Sequence, residues 1–326
     1  MDYNINFPHL GIHMSHVPKS FSIFGFEIAL YGVCIAIGMI LAFVIMDKTS
    51  KKFLAKPDDY FDIALVTIII GIIGARAYYV AFEWEQYKGS FASIINIREG
   101  GLGIYGGVIA GTITAIVASK IKKINPLDIL DTFFPGVVVG QIVGRWGNFF
   151  NREAFSRYTD GLFAMQLPVN AVRRHEITDA MWENLQTIDG IDYIQVTPNF
   201  LYEGMWNVLV FAALIYVVLH RKFKGQVALT YATLYGAGRF YLEGLRTDQL
   251  TIGNTGLAVS QMIGLCCALA GVIAYVVILR KQIFKAKLAE KNEHIEQNII
   301  HNNTPTNELV IDEVVEETIE VESNLK

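Results

Sequence analysis

The sequence predicts an all-α polytopic membrane protein, and three observations carry that prediction. Hydrophobic residues make up 52% of the 326 positions and charged residues only 18%, against roughly 25% charged in an ordinary soluble domain. The apolar residues come in long blocks instead of alternating at a helical or strand period, as membrane-spanning helices require. Lys and Arg concentrate in every second connection between those blocks, the pattern of a chain threaded back and forth through a bilayer. The formal net charge of −4 says little, because much of the acid lies beyond Lys287. A soluble globular class is excluded.

Residues 1–21 read as an extracytoplasmic arm, polar and aromatic, with Pro8 and Pro18 and no evident cleavable signal peptide. His9, His13 and His16 lack a closely placed Cys or carboxylate partner, so they read as surface residues and not as a metal site. About seven transmembrane helices follow, near 22–46, 60–82, 102–120, 127–144, 199–219, 227–243 and 257–279. The fourth and sixth are short, with polar ends. Gly71/Gly74, Gly107/Gly111 and Gly136/Gly140 suit close helix packing. Cys34, Cys266 and Cys267 lie inside apolar blocks and read as small packing residues.

The basic connections set the orientation. Lys48, Lys51, Lys52 and Lys56 follow the first helix, and Lys120, Lys122 and Lys123 the third. Arg221, Lys222 and Lys224 follow the fifth, and Arg280, Lys281, Lys285 and Lys287 the seventh. These segments belong to the cytoplasm, which puts the N-terminus outside and the C-terminus inside. The catalytic domain then covers 22–287 and includes a small extracytoplasmic cap over 145–198. Residues 288–326, polar and acidic, are expected to form a disordered cytoplasmic tail without chemistry.

Polar residues that are costly in a membrane collect at the outer ends of these helices. Arg76 lies in the outer part of the second, and Tyr105 sits within the glycine-rich Gly100–Gly107 opening the third. The run Arg145 to Glu153 leaves the fourth, and Tyr202-Glu203 opens the fifth. Arg239, Glu243, Arg246 and Asp248 leave the sixth. Five segments delivering polar groups to one depth predict a shared cavity at the outer leaflet. Planar Arg forks suit phosphate, and at that depth the obvious phosphate belongs to a phospholipid. Arg239 and Glu243, spaced i, i+4, are as well placed for a structural pair as for catalysis.

Other chemistries lack support. Gly100–Gly107 has no Lys-Ser/Thr ending and is not a nucleotide loop. The sequence shows no Ser-His-Asp set, no His-Glu-x-x-His and no Cys nucleophile, so neither an acyl-enzyme, a metal, a cofactor nor a nucleic-acid partner is expected. The residues leave two classes open, an enzyme acting on a lipid phosphate and an anion or lipid transporter. Transporters often show duplicated halves and a midplane site, and neither is visible here.

The run Gly144-Arg145-Trp146-Gly147-Asn148-Phe149-Phe150-Asn151-Arg152-Glu153 closely resembles the signature of the bacterial prolipoprotein diacylglyceryl transferases. Gly74-Ala75-Arg76, the glycine-flanked Tyr105, Pro198-Asn199-Phe200-Leu201-Tyr202-Glu203 and Arg239-Phe240-Tyr241-Leu242-Glu243 resemble that family's other motifs, in the same order. The resemblance runs from about Tyr31 into the seventh helix. Two departures stand out: the family commonly carries His where this chain has Tyr105, and His-Pro where it has Thr197-Pro198.

The resemblance implies transfer of the diacylglyceryl group of phosphatidylglycerol to the thiol of a prolipoprotein's lipobox cysteine. A thioether would form and glycerol phosphate would leave, in the bacterial cell membrane, with the active site toward the extracytoplasmic leaflet. The nucleophile would then belong to the substrate, which explains its absence here. On this reading Arg145 and Arg239 hold and stabilise the phosphate, and Tyr105, Glu153 and Glu243 are the other catalytic candidates. Asn148 and Asn151 bind the phosphatidylglycerol headgroup, while Tyr31, Arg76, Glu203 and Arg246 shape its pocket.

Overall fold

The computed structural model describes residues 3–97, 100–246 and 257–302. Long helices dominate it: α1 (Leu30–Phe53), α2 (Asp59–Phe82), α5 (Ile104–Ile121), α6 (Pro126–Asn151), α8 (Asn199–Leu219), α9 (Gln226–Glu243) and α10 (Val259–Asn302). Short helices α3 (Trp84–Tyr87) and α4 (Phe91–Ile95) follow α2, and α7 (Asp179–Glu183) lies between the later strands. Among the described residues, 6 helices are long and apolar enough to cross a membrane. The remaining one, α9, carries too many polar residues to qualify on its own, although its bounds match the sixth expected span. The chain divides into two compact units, Met1–Gly271 and Val272–Lys326, and the site described below lies wholly in the first.

Helix α6 is the axis around which α1, α8 and α9 pack. Its start is specified locally: the Asn125 side chain caps the first turn by accepting from Leu127 N–H at 2.9 Å, and Pro126 takes the first helical position. Helix α5 pairs instead with α2. Where those two cross, a Cβ at Gly74 would meet Gly106 O at 2.9 Å and run into Ala110, so only glycine lets the backbones approach this closely.

Strands add a feature that the helical reading did not contain. Strands β1 (Tyr3–Phe7), β2 (Ile12–Val17), β5 (Met165–Pro168), β6 (Gln186–Ile188) and β7 (Ile191–Val196) form one antiparallel sheet in the order β2-β1-β5-β7-β6. Strand β1 pairs with β5, so the first residues share a sheet with the segment between α6 and α8. Ile5, Leu167, Ile194 and Val196 are fully buried in a core shared with Phe149 of α6 and Phe200 of α8. That core joins the sheet to the helix ends that carry the polar residues.

Several boundaries differ from the hydropathy reading. Residues expected at the start of the first span form a hairpin, β3 (Ser20–Ile23) and β4 (Phe26–Ala29). Its turn uses Phe24 and Gly25, both at positive φ (50° and 82°), the conformation of a tight two-residue hairpin. Helix α6 passes the expected end at 144 and stops at Asn151, where Arg152 adopts the left-handed conformation (φ 57°, ψ 46°). Helix α10 continues past Lys287 to Asn302, through Lys, Glu and Ala that favour helix without burial. The expected disorder over 288–302 is thus replaced by helix, and 303–326 lie outside the described residues.

Candidate active site

Antiparallel packing brings the starts of α1, α5, α8 and α10 to the same end of the bundle as the finishes of α6 and α9. A cavity of about 690 Å³ opens there. Tyr31, Tyr105, Arg145, Asn148, Arg239, Glu243 and Arg246 line its polar end, while Ile35, Met39, Ala42, Met46 and Val137 line its depth. Placement of Tyr31 depends on a missing side chain, since a Cβ at Gly147 would lie 2.7 Å from the Tyr31 ring.

The guanidinium groups are organised by two carboxylates. Glu203, near the start of α8, has only 6% of its side chain exposed and lies 2.5 Å from Arg145 Nη2 and 3.8 Å from Arg239 Nη1. Its other oxygen accepts from Asn199 Nδ2 at 2.7 Å. Glu243 pairs with Arg239 at 2.7 Å and lies 3.8 Å from Arg246. Arg145 Nη1 also donates to Asn148 Oδ1 at 3.4 Å. Three guanidiniums thus share two carboxylates beside an open cavity. Such a site can hold an anion at its mouth and long apolar chains below it.

Most of the residues expected at the site converge, with three exceptions. Arg76 is buried and faces away, donating to the backbone carbonyls of Ser93 (2.6 Å), Ile94 (2.8 Å), Gly100 (2.9 Å) and Gly101 (2.7 Å). It pins the segment leading to Tyr105 and is a positioning residue, not part of the pocket wall. It borders a separate, almost wholly apolar cavity of about 600 Å³ between α2 and α4, which gathers no polar side chain besides Arg76 itself. Asn151 and Glu153 line a different space of about 420 Å³ beyond the end of α6. They connect to the main cavity through Asn148, which donates to Glu153 Oε1 at 3.1 Å; Asn151 Nδ2 donates to the same oxygen at 3.4 Å. Asp248 lies outside the described residues.

Gln141, Tyr235 and Ser260 also line the main cavity and were missed. Gln141 precedes Arg145 by four residues, and Tyr235 stands in the same relation to Arg239, so helical periodicity carried the signal. Gln141 Nε2 donates to Tyr231 Oη at 2.9 Å, tying α6 to α9 below the arginines. Lys19 and Arg173 in the outer space carried no such signal, because each lies in a turn of the sheet region.

The sequence is similar over most of its length to known proteins. The profile of the family described as prolipoprotein diacylglyceryl transferase matches residues 18–277. The chain is similar to the phosphatidylglycerol–prolipoprotein diacylglyceryl transferase of Finegoldia magna, 42% identical over 268 residues, covering 82% of this chain and 97% of the relative. The protein of that name from Clostridioides difficile is 39% identical, covering 80% and 95%. That of Streptococcus agalactiae is 38% identical, covering 79% and 94%.

Proposed function

The chain belongs to the prolipoprotein diacylglyceryl transferase family, and from that premise we propose how its cavity performs the reaction. The protein is a multi-pass membrane enzyme that transfers the diacylglyceryl group of phosphatidylglycerol to prolipoprotein. The acceptor is the thiol of the lipobox cysteine, and the membrane is the bacterial cell membrane. The alternation of basic connections supports a cavity facing the extracytoplasmic leaflet.

One observation carries this reading: Arg145 of α6 and Arg239 of α9 meet at the single buried carboxylate of Glu203, above an apolar chamber. The two guanidiniums hold the lipid phosphate, and the acyl chains fill the space lined by Met39, Ala42 and Met46. The substrate sulfur attacks the glyceryl carbon bound to the phosphate oxygen. A carbon–sulfur bond forms, the carbon–oxygen bond breaks, and its electron pair moves onto the departing phosphate. Guanidiniums aimed at that oxygen stabilise the transition state more than the bound lipid. Glu203 is a positioning residue that sets the distance between them. Asn148 hydrogen-bonds the headgroup, while Asn151 stands one link further out. Tyr31 and Arg246 close the polar end.

The thiol must lose its proton. Glu153 accepts from Asn148 and Asn151 and pairs with Arg173 at 3.5 Å, and Glu243 is paired with Arg239. Both carboxylates are committed, so the surrounding positive charge lowers the thiol's pKa and the proton passes to bulk water before the thiolate attacks. Tyr105 orients the incoming sulfur by its hydroxyl.

The test is reconstitution with phosphatidylglycerol and a lipobox peptide, followed by peptide mass. A diacylglyceryl adduct with stoichiometric glycerol phosphate, absent when the peptide carries Ser for Cys, is the expected result. Folded protein that binds phosphatidylglycerol without forming an adduct would return the cavity to a lipid or anion carrier.

A further inference from the structure

The reaction leaves one polar cavity unused. The space of about 420 Å³ beyond α6 is walled by Lys19, Asn151, Arg152, Glu153, Asn170 and Arg173. Lys19 comes from the β2–β3 junction, the next three from the end of α6, and the last two from the loop after β5. It is joined to the reaction cavity through Asn148, whose side-chain amide donates to Glu153 Oε1 at 3.1 Å and whose backbone carbonyl accepts from the Glu153 N–H at 3.1 Å.

Its charge is unbalanced. Three cations face one carboxylate in the wall, and Glu153 already receives Asn148, Asn151 and Arg173. Glu176 pairs with Arg173 at 3.1 Å from behind, which still leaves a positive excess. Arg152 is held in place by donating to Val17 O at 2.5 Å and Phe150 O at 3.1 Å. Lys19 donates to Ala171 O at 3.2 Å. Burial pushes the Lys19 ammonium below its usual pKa, Arg152 and Arg173 push it further, and Glu153 opposes them. A cation crowded by two others gains from an arriving anion. Asn151 and Asn170 add neutral amides able to meet hydroxyl groups.

We propose, on the transferase reading above, that this outer cavity is the first station of the departing glycerol phosphate, a small hydroxyl-bearing phosphate monoester. Cleavage of the carbon–oxygen bond turns the singly charged phosphodiester into a monoester carrying close to two negative charges at neutral pH. The extra charge favours the product at Lys19 and Arg173, the latter connected to Arg145 through Asn148 and Glu153. The diacylglyceryl group cannot follow, because its chains remain in the apolar chamber. Unreacted lipid is held back for the same reason, so the outer cavity discriminates product from substrate by charge and by the loss of its tails.

The test uses the full-length protein with Lys19→Gln, Arg173→Gln and the double variant, each checked for an unchanged thermal midpoint. Calorimetric titration with glycerol phosphate needs no turnover, and affinity should fall about ten-fold per variant, the size of one lost charge-assisted contact. Arg173→Lys should restore most of it. Inhibition of the transferase by added glycerol phosphate should weaken in parallel, while the KM for phosphatidylglycerol stays within about two-fold. Undiminished binding in the double variant would mean that the ligand sits at Arg145 and Arg239, and the proposal falls. A raised KM for the lipobox peptide with unchanged product inhibition would make the cavity a peptide contact and overturn it equally. Inorganic phosphate serves as the second probe: it should bind more weakly than glycerol phosphate, and equal affinity would reduce the cavity to an unselective anion site. If the protein forms no adduct but still binds glycerol phosphate through Lys19 and Arg173, the transferase reading fails and the site survives.

Discussion

Both ends of the bundle bury a cluster of charges, and they use them differently. At the end away from the cavity, Asp128 and Asp131 of α6 meet Arg221 and Lys224 from the turn between α8 and α9. Arg221 Nη1 lies 2.9 Å from both carboxylates. Asp131, with 0% of its side chain exposed, also accepts from the N–H groups of Gly225 (2.8 Å) and Ala228 (2.9 Å). Two cations meet two anions, and backbone donors occupy the remaining lone pairs. At the other end, three guanidiniums share two carboxylates against an open cavity. Setting distinguishes the two clusters: the first fastens a turn, and the second lines an open cavity that a ligand can enter.

Four substitutions test that contrast. The largest effect belongs to the balanced end, where Asp131→Ala removes one of the two carboxylates that hold Arg221 and leaves the N–H groups of Gly225 and Ala228 without their acceptor. It should cost about 3–5 kcal/mol of stability, measured by unfolding in detergent, while turnover per folded molecule is kept. Loss of turnover without loss of stability would break the comparison. Next comes Arg145→Lys, which keeps the charge but not the planar fork. Turnover in the peptide-mass assay should fall by at least about 100-fold with little change in unfolding, and wild-type activity would remove Arg145 from the transition state.

Arg76→Gln sharpens the contrast, because Arg76 lies toward the cavity end yet is saturated by four carbonyls. Its loss should resemble that of Asp131 in kind, costing about 1.5–3 kcal/mol. Hydrogen exchange should report loosening of the segment around Ser93–Ile94 before activity reports a change. The smallest effect is Tyr105→Phe, for which a drop of no more than about ten-fold is expected if the hydroxyl only orients the sulfur. A drop comparable to Arg145→Lys would put the phenol on the proton path.

The arginines were legible because charge inside or beside a long apolar block is conspicuous, and Arg145, Arg239 and Glu243 all lie at such edges. Their grouping with Tyr105 followed from alternating helix direction, whereas Tyr31 entered through the family resemblance. Hydropathy put Tyr31 mid-way along the first span, and the hairpin over 20–29 moves it to the first turn of α1. The hairpin over 20–29 was harder, since Ser20-Phe21-Ser22-Ile23 alternates only briefly before merging with the apolar run of α1. The pairing of β1 with β5 left no local mark at all, because the two strands are far apart in the chain.

By itself the sequence determined that long apolar helices dominate the chain, the order of the motifs along it, and the family. All of these follow from hydropathy and order along the chain, which are properties of single residues and near neighbours. Only the tertiary structure decided that Glu203 is shared by Arg145 and Arg239, and that Arg76 spends its donors on carbonyls. It alone placed Lys19 opposite Arg173 across one cavity. Whether an arginine serves as a staple or as a binding group depends on which acceptors lie within about 3 Å of it. Those acceptors come from segments remote in sequence, and packing alone brings them together.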